Sequence, residues 1–223
     1  MATRVREMRK SPRQQRSRAT AEVIVTAAAR VLAGGGWGGF TTNAVAAAAG
    51  VSIGSVYQYF ADKAALLEAV RRRHHEQVLA VLAEAAARPP AERAQALIDG
   101  MIVAHGPAPG LHHALLQQRP ASDGALDREF EAEYLRLYAA LFPAGGDGGD
   151  AALAARVLAS AVEGVIHDAA CAGGLEGAVL RGELTTLASA YMAARVAGGP
   201  WPEGATRPIT AGTALDAQAC EDQ

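Results

Sequence analysis

Apolar residues recur at helical spacing along most of this chain, and clusters of glycine and proline interrupt the pattern at intervals. In the first such segment, which starts near Arg16, four residues follow the i, i+3, i+4, i+7 pattern of a helix with one buried face: Ile24, Ala27, Ala28 and Val31. The glycines from Gly34 onward are expected to end this helix. No segment alternates apolar and polar residues as a half-buried strand does. The pattern therefore predicts an all-α protein.

Further helices are predicted from the residues that begin and end them. Thr41 or Thr42 can cap a short second helix, and Gly50 stands where a left-handed residue would end it. A third helix is expected to run to about Tyr59, and a fourth to follow Asp62 and to end at 87, before two prolines. Glycine and proline breaks separate five more, at 91–105, 110–118, 122–142, 150–172 and 179–197. The fold is thus expected to contain about nine helices.

Charge is distributed unevenly along the chain, although the net charge is only −2. Between Met1 and His75 there are 12 basic and 4 acidic residues, a net charge of +8, so that the remainder carries −10. A basic N-terminal part is typical of proteins that bind a polyanion such as nucleic acid, with a merely solvated arm as the alternative. The run Arg71-Arg72-Arg73 is interpreted as a solvated stretch of the fourth helix.

The second and third helices form a helix-turn-helix pattern, because both are short and about three residues that include Gly50 join them. The surrounding string, GGWGGFTTNAVAAAAGVSIGSVYQYFADKAALL, resembles the DNA-binding domain of the TetR/AcrR family of bacterial transcriptional regulators. The matching elements are Thr41-Thr42, the Ala49-Gly50-Val51-Ser52 turn, Val56-Tyr57-x-Tyr59-Phe60, and Lys63 with Leu66-Leu67. The resemblance implies a ligand-responsive repressor that binds double-stranded DNA. Neither a cofactor nor enzyme activity is expected, because the GxGxxG match at Gly34, Gly36 and Gly39 follows a helix rather than a strand and His75-Glu76 lacks the second histidine of an HExxH motif.

Together these patterns divide the chain into four parts. We expect a basic flexible arm at 1–15, a three-helix DNA-binding domain at 16–61, a larger helical domain for ligand binding and dimerisation at 62–197, and a disordered tail at 198–223.

The polar face of the third helix is the expected DNA-reading surface, since a helix fits the major groove of B-DNA. Carried over residue by residue, the resemblance implies phosphate contacts for Thr42, Ser55, Tyr59 and Lys63. It implies positions near base edges for Asn43, Ile53, Gly54, Tyr57 and Gln58. The Gln58 amide can pair with adenine through two hydrogen bonds. Ile53 stands where lysine is most common in the family, so apolar contact with a thymine methyl is the available substitute.

The acidic second half is expected to bind a small effector, as the resemblance implies. Apolar walls with a few polar groups suit a small molecule between helices. The candidate lining residues are Met101, His105, His112, His113, Gln117, Phe130, Tyr134, Tyr138 and His167. Adjacent residues on a helix point about 100° apart, so no metal site is predicted at the His112-His113 pair.

A homodimer is predicted to form through the last two helices, which are both amphipathic. Their apolar faces carry Leu158, Ala159, Val162 and Ile166 on one helix and Leu180, Leu184, Leu187 and Tyr191 on the other. Two copies could then form an antiparallel four-helix bundle. A two-fold dimer would place two recognition helices about one DNA turn apart and predicts a palindromic operator.

Two other functions are compatible with parts of the sequence. A sequence-independent DNA-compacting protein would share the basic arm and the helices. A small helical enzyme is the second alternative, since Cys171 lies one helical turn from His167, although a buried structural cysteine is the preferred interpretation.

The expected location is the cytoplasm. The chain has only two, widely separated cysteines and no continuous apolar stretch of membrane-spanning length, so neither a disulfide scaffold nor a membrane partner is predicted.

Overall fold

The computed structural model describes residues 15–118, 125–142 and 148–196. Within these ranges all regular structure is helical, as predicted. The nine α-helices are α1 (Gln15–Gly39), α2 (Thr42–Ala49), α3 (Ile53–Tyr59), α4 (Lys63–Ala87), α5 (Arg93–His105), α6 (Leu111–Leu116), α7 (Ala125–Ala140), α8 (Gly148–Cys171) and α9 (Ala178–Val196), and a 3-10 turn at Pro90–Glu92 precedes α5. The predicted arm, apart from Gln15, and the predicted tail lie outside the described residues.

Helix α1 continues past the glycines that were expected to end it. Gly36 interrupts the helical geometry with φ 55° and ψ −165°, a conformation that a side chain would strain. One further turn follows this kink, and the amide of Phe40 donates to the Gly36 carbonyl at 3.0 Å. The kinked turn places Phe40 in the core and leaves Trp37 at the surface.

The helix-turn-helix forms through the capping residues that the sequence indicated. Thr41 caps α2, since its hydroxyl accepts from the Ala44 amide at 3.1 Å. Gly50 ends α2 in the left-handed conformation, with φ 66°. Ser52 then caps α3, because its hydroxyl accepts from the Ser55 amide at 3.1 Å. These caps fix both ends of the turn and thereby the angle between the two short helices.

The described residues form two hydrophobic cores, and α4 contributes to both. The N-terminal core combines α1, α2, α3 and the first two turns of α4, and it also includes Leu111, Ala114 and Leu115 of α6. The second core combines the rest of α4 with α5, α7, α8 and α9. The polar residues Arg71 and His74 are buried on α4 between its contributions to the two cores. Helix α4 is therefore the shared element through which the two cores meet.

Helix α4 packs closely against α5 at one glycine. A Cβ atom added to Gly100 would lie 2.5 Å from a methyl carbon of Val81, which is closer than real contacts allow. The absence of a side chain at Gly100 therefore sets the distance between these two helices.

The arginine run on α4 is not uniformly solvated, contrary to the prediction. Arg72 is exposed, but the Arg71 side chain is buried. The Arg71 guanidinium donates to the carbonyls of Leu115 at 3.2 Å and Gln118 at 2.7 Å, and lies 3.6 Å from the Asp127 carboxylate. Arg71 thus joins α4 to the end of α6 and to α7.

Two further expectations about the second half need correction. The apolar faces assigned to a dimer bundle mostly pack within the chain: Leu158, Ala159, Val162, Ile166 and Leu184 are buried in its own core, Leu180 and Tyr191 pack against that core, and only Leu187 is exposed. The amphipathic pattern marks the buried face of each helix, but it does not show whether the same chain or a second copy covers that face. Cys171, expected to be buried, is exposed at the end of α8.

No helix in the described part of the chain is long and apolar enough to cross a membrane.

Candidate DNA interface and candidate effector site

The predicted base-reading residues lie together on one exposed surface formed by α2 and α3. Asn43, Ile53, Gly54, Tyr57 and Gln58 are all exposed, and Thr42 is half-buried at the start of α2. The hydroxyls of Thr42 and Tyr57 lie 3.3 Å apart and connect the two helices across this surface. The face of α3 that carries these residues is therefore exposed to solvent.

Two of the predicted phosphate contacts also support the fold. The Tyr59 ring is buried in the N-terminal core, and its hydroxyl lies 3.0 Å from that of Ser17 on α1. The Ser55 hydroxyl lies 2.9 Å from that of Ser52, the cap of α3. A phosphate contact by Tyr59 can therefore use only its hydroxyl, since its ring already packs against the core.

Lys63, the first residue of α4, contacts the kinked end of α1. Its ammonium donates to the Trp37 carbonyl at 2.8 Å and lies 3.5 Å from the centre of the Trp37 ring. Desolvation of the ammonium lowers the pKa of Lys63. The ammonium has three donors, so a phosphate can still be bound beside the carbonyl. Sequence reasoning missed Trp37, because nothing local links it to a lysine on another helix.

Five of the six histidines of the chain lie close together where the two cores meet. His74 lies on α4, His105 ends α5, His112 lies on α6 and His167 lies on α8. The rings of His112 and His167 are stacked, with centroids 3.8 Å apart, and His105 lies edge-on to His74 at 5.5 Å. His75 is adjacent, stacked at 3.9 Å on Phe130. We call His74, His105, His112 and His167, with Glu163, the histidine cluster.

Glu163 was missed in the sequence, although it lies one turn before His167 on α8. One of its carboxylate oxygens, Oε2, lies 3.1 Å from His167 Nε2 and 3.7 Å from His105 Nε2. The other, Oε1, accepts from the Tyr134 hydroxyl at 3.3 Å. Burial raises the pKa of the Glu163 carboxyl, but the imidazoles around it outweigh this effect, so that the pKa lies below its usual value. The cluster thus contains a buried carboxylate.

Burial also determines the charge of the imidazoles. It lowers the pKa of His74 well below the usual value, lowers that of His105, and brings that of His112 to about 4. The same effect brings the pKa of His75 to about 4. These four rings are therefore neutral near pH 7, and each retains one nitrogen lone pair.

The predicted effector residues fall into two groups. Seven of them lie at or beside the histidine cluster: Met101, His105, His112, Phe130, Tyr134, Tyr138 and His167. The structure does not bring His113 and Gln117 there, because both are exposed on the outer face of α6, where their side chains lie 2.9 Å apart.

The short helix α6 belongs to both regions. One of its faces carries Leu111, Ala114 and Leu115 into the N-terminal core, while His112 points into the histidine cluster. A shift of His112 would therefore also displace the residues of α6 that pack against α1. The cluster is thereby connected through α6 to the N-terminal core, to which α2 and α3 also belong.

Comparison with known families gives matches in both halves of the chain. The model described as bacterial regulatory proteins, tetR family, matches residues 24–70. The model described as tetracyclin repressor-like, C-terminal domain, matches residues 89–192. The chain belongs to the TetR family. It is therefore a DNA-binding transcriptional regulator, and the family is one of regulators rather than enzymes.

Solved structures of several regulators share the fold at low sequence identity. A transcriptional regulator of Rhodococcus sp. Rha1 is 22% identical with a TM-score of 0.65, over 80% of this chain and 96% of its own. A TetR-like regulator from the same organism is 21% identical with a TM-score of 0.61. The match covers 85% of this chain and 100% of that regulator. SmeT, the repressor of the Stenotrophomonas maltophilia multidrug efflux pump SmeDEF, is 22% identical with a TM-score of 0.56. The match covers 80% of this chain and 91% of SmeT. A structure of SmeT in complex with triclosan has also been solved. No curated protein matches the chain.

Proposed function

We propose that this TetR-family regulator is a ligand-responsive repressor that binds a palindromic operator as a homodimer. The observation that carries the proposal is the exposed surface on α2 and α3, where Asn43, Tyr57 and Gln58 lie on a rigid, fully capped helix-turn-helix. Rigid presentation matters because hydrogen bonds to base edges tolerate little displacement.

Within this surface, base reading and phosphate binding are assigned to different residues. Ile53, Gly54, Tyr57, Gln58 and Asn43 are exposed and available to base edges. Thr42, Ser55, Tyr59 and Lys63 lie around them with a hydroxyl or an ammonium, the groups that commonly bind phosphate oxygens. The second set fixes the position of α3 on the duplex, and the first set distinguishes one sequence from another.

The dimer is proposed to form through α8 and α9, but through residues other than those named from the sequence. Leu153, Val157 and Val165 are exposed on α8, and Val179 and Leu187 are exposed on α9. On α8, Leu153 and Val157 lie one turn apart on a face separate from the one buried in the chain's own core, and on α9 Val179 and Leu187 lie on one side of the helix. Large exposed apolar side chains that share a face are typical of a homodimer interface.

The effector is proposed to bind at the histidine cluster and to act through α4 and α6. Arg71 and His74 on α4, and His112 on α6, connect this region to the helices of the N-terminal core. An effector that favours one position of α6 changes the separation of the two α3 helices in a dimer, and release from DNA follows if it binds the non-DNA state more tightly. The triclosan complex of SmeT supports a small-molecule effector for this fold.

Selection of bound duplexes from a random pool tests the proposal, with wild type and Tyr57→Ala compared at near-physiological salt. Tyr57 is exposed, so the variant should fold, which thermal unfolding checks. We expect the wild type to enrich a palindrome and the variant to enrich it weakly. Binding without enrichment of any sequence would favour the DNA-compacting alternative. No binding by folded, dimeric protein would contradict the proposal altogether.

A further inference from the structure

We propose that His105, His112, His167 and Glu163 bind a divalent transition-metal ion, and that this ion is the effector of the regulator. The site itself stands on the geometry of the cluster, whereas the effector role rests on the proposed function. The ligand set consists of three imidazoles and one carboxylate, each of which offers one donor atom, and all four atoms lie within 4.8 Å of one another.

The distances between the donors fit a small tetrahedral ion. Metal–nitrogen and metal–oxygen bonds of about 2.0–2.2 Å at a tetrahedral centre place neighbouring donors about 3.3–3.6 Å apart. His105 Nε2 and His167 Nε2 lie 3.2 Å apart, and Glu163 Oε2 lies 3.1 Å and 3.7 Å from them. Three of the four donors thus already form a triangle of the size that such an ion requires.

The orientation of the rings also favours metal binding. His105 Nδ1 lies 2.8 Å from the Met101 carbonyl, so Nδ1 carries the proton and Nε2 presents its lone pair to the cluster. His112 Nδ1 lies 3.2 Å from His74 Nε2, which leaves His112 Nε2 for an ion. A hydrogen bond at the second nitrogen of a ligating histidine is the usual arrangement in metal sites. His74 is therefore a positioning residue.

Glu163 supplies an independent indication. Its Oε2 atom is shielded from solvent and has no hydrogen-bond partner of suitable geometry among the described residues, although it faces two imidazoles. A buried carboxylate oxygen without a partner is costly, and a cation beside it would remove that cost. The Tyr134 hydroxyl holds the other oxygen and thereby orients the carboxylate.

The donor types narrow the class of ion. Imidazole nitrogen suits Zn²⁺, Co²⁺, Ni²⁺ and Cu²⁺, whereas Mg²⁺ and Ca²⁺ prefer sites built from oxygen. None of the four donors is a thiolate. A site with three nitrogen donors and one oxygen donor therefore favours the later divalent transition metals.

The position of the site in the fold allows a bound ion to link the two hydrophobic cores. The donors come from α5, α6 and α8, so bound metal would fasten α6 to the second core through His112. The adjoining face of α6 packs in the N-terminal core through Leu111 and Leu115. Occupancy would thus fix the N-terminal core relative to the second core, which in a dimer sets the distance between the two α3 helices.

Titration of the metal-free full-length protein with ZnCl₂, followed by calorimetry and by metal analysis after dialysis, tests the site. We expect one ion per chain. Glu163→Gln removes the negative charge of one donor and His167→Gln removes one imidazole, and each should weaken binding by at least about 100-fold, because loss of an outer partner alone costs 10–100-fold. His113→Gln is the matched control, since His113 is adjacent to His112 but lies on the exposed face.

Titration with CoCl₂ provides a second readout that does not depend on stability. Tetrahedral Co²⁺ absorbs visible light far more strongly than the hydrated ion, so the wild type and His113→Gln should develop an intense colour at one equivalent and His167→Gln should not. Absence of stoichiometric binding, or equal binding by wild type and His167→Gln, would overturn the site.

The effector role is tested with the selected operator. ZnCl₂ should change the operator affinity of the wild type and of His113→Gln by at least about five-fold, the lower end of typical couplings, and leave that of His167→Gln unchanged. Metal binding with no change in operator affinity would overturn the effector role. If no operator can be selected, the proposed function fails instead, and the metal titrations still decide whether the site exists.

Discussion

The Lys63 ammonium lies over the Trp37 ring, 3.5 Å from its centre, and also donates to the Trp37 carbonyl at 2.8 Å. This contact joins the kinked end of α1 to the first residue of α4, on either side of the helix-turn-helix in sequence. It holds in place an ammonium that the proposed function assigns to a DNA phosphate.

Replacement of Trp37 by alanine should therefore affect both stability and DNA binding. Loss of the cation–π contact at this partly exposed site should lower the free energy of unfolding by about 0.5–1 kcal/mol. Lys63 would then be held only by the backbone carbonyl of residue 37, so it should bind phosphate less well, and the affinity should fall for specific and random duplexes alike. Urea unfolding and DNA titration measure the two effects. An unchanged affinity for both duplexes would show that phosphate binding by Lys63 does not depend on the Trp37 ring.

Gln58 and Lys63 should respond differently to substitution. Gln58→Ala removes a side chain assigned to a base edge and should weaken operator binding by about 1–3 kcal/mol, with little change on random DNA. Lys63→Ala should weaken binding to both and reduce the dependence of affinity on salt. Gln77→Ala, an exposed glutamine on α4, is the control. Equal losses on specific and random DNA for Gln58→Ala would contradict its assigned role.

Gly54→Ala should have opposite effects on the stability of the protein and on its affinity for DNA. A Cβ atom at Gly54 would meet only the Ser52 hydroxyl, at the ordinary distance of 3.7 Å, so nothing within the protein requires glycine there. Helix propensity should raise stability by about 0.5–1 kcal/mol. If α3 lies close against bases, the added methyl should nevertheless weaken operator binding. Thermal unfolding and operator titration of one preparation test both parts, and tighter binding by the variant would argue against close approach at Gly54.

Gly100→Ala tests the close packing of α4 against α5. The new methyl would overlap Val81 and force the helices apart, which should destabilise the protein by about 1–3 kcal/mol. Gly164→Ala on α8 is the control, since nothing lies within 4 Å of a Cβ atom there, and it should be neutral or stabilising. Equal urea midpoints for the two variants would show that α4 and α5 adapt without cost.

The helix-turn-helix could be predicted because its signals are local. Thr41, Gly50 and Asp62 act within three or four residues of their own positions, and each caps or ends a helix as the sequence indicated. The exposed face of α3 followed from the same short stretch. Gly36 shows the limit of this reasoning, since its backbone geometry kinks α1 where the residue type alone suggested that the helix would end.

The histidine cluster could be predicted only in part, because its members come from four helices. His105 and His167 were named as lining residues, but nothing in the sequence showed that they would meet at 3.2 Å. The spacing of Glu163 and His167 by one helical turn was the available signal for the missing carboxylate. The burial of Arg71 was equally hidden, because its partners are carbonyls at the end of α6.

The spacing of the two operator half-sites offers the most direct test of the central claim, that two copies of α3 read one palindrome. The dissociation constant should be measured for the selected operator and for a duplex with five extra base pairs at its centre. Five base pairs turn one half-site by about half a helical turn, so a dimer with fixed α3 helices should lose at least about 100-fold in affinity. Equal affinity for the two duplexes would contradict dimeric recognition.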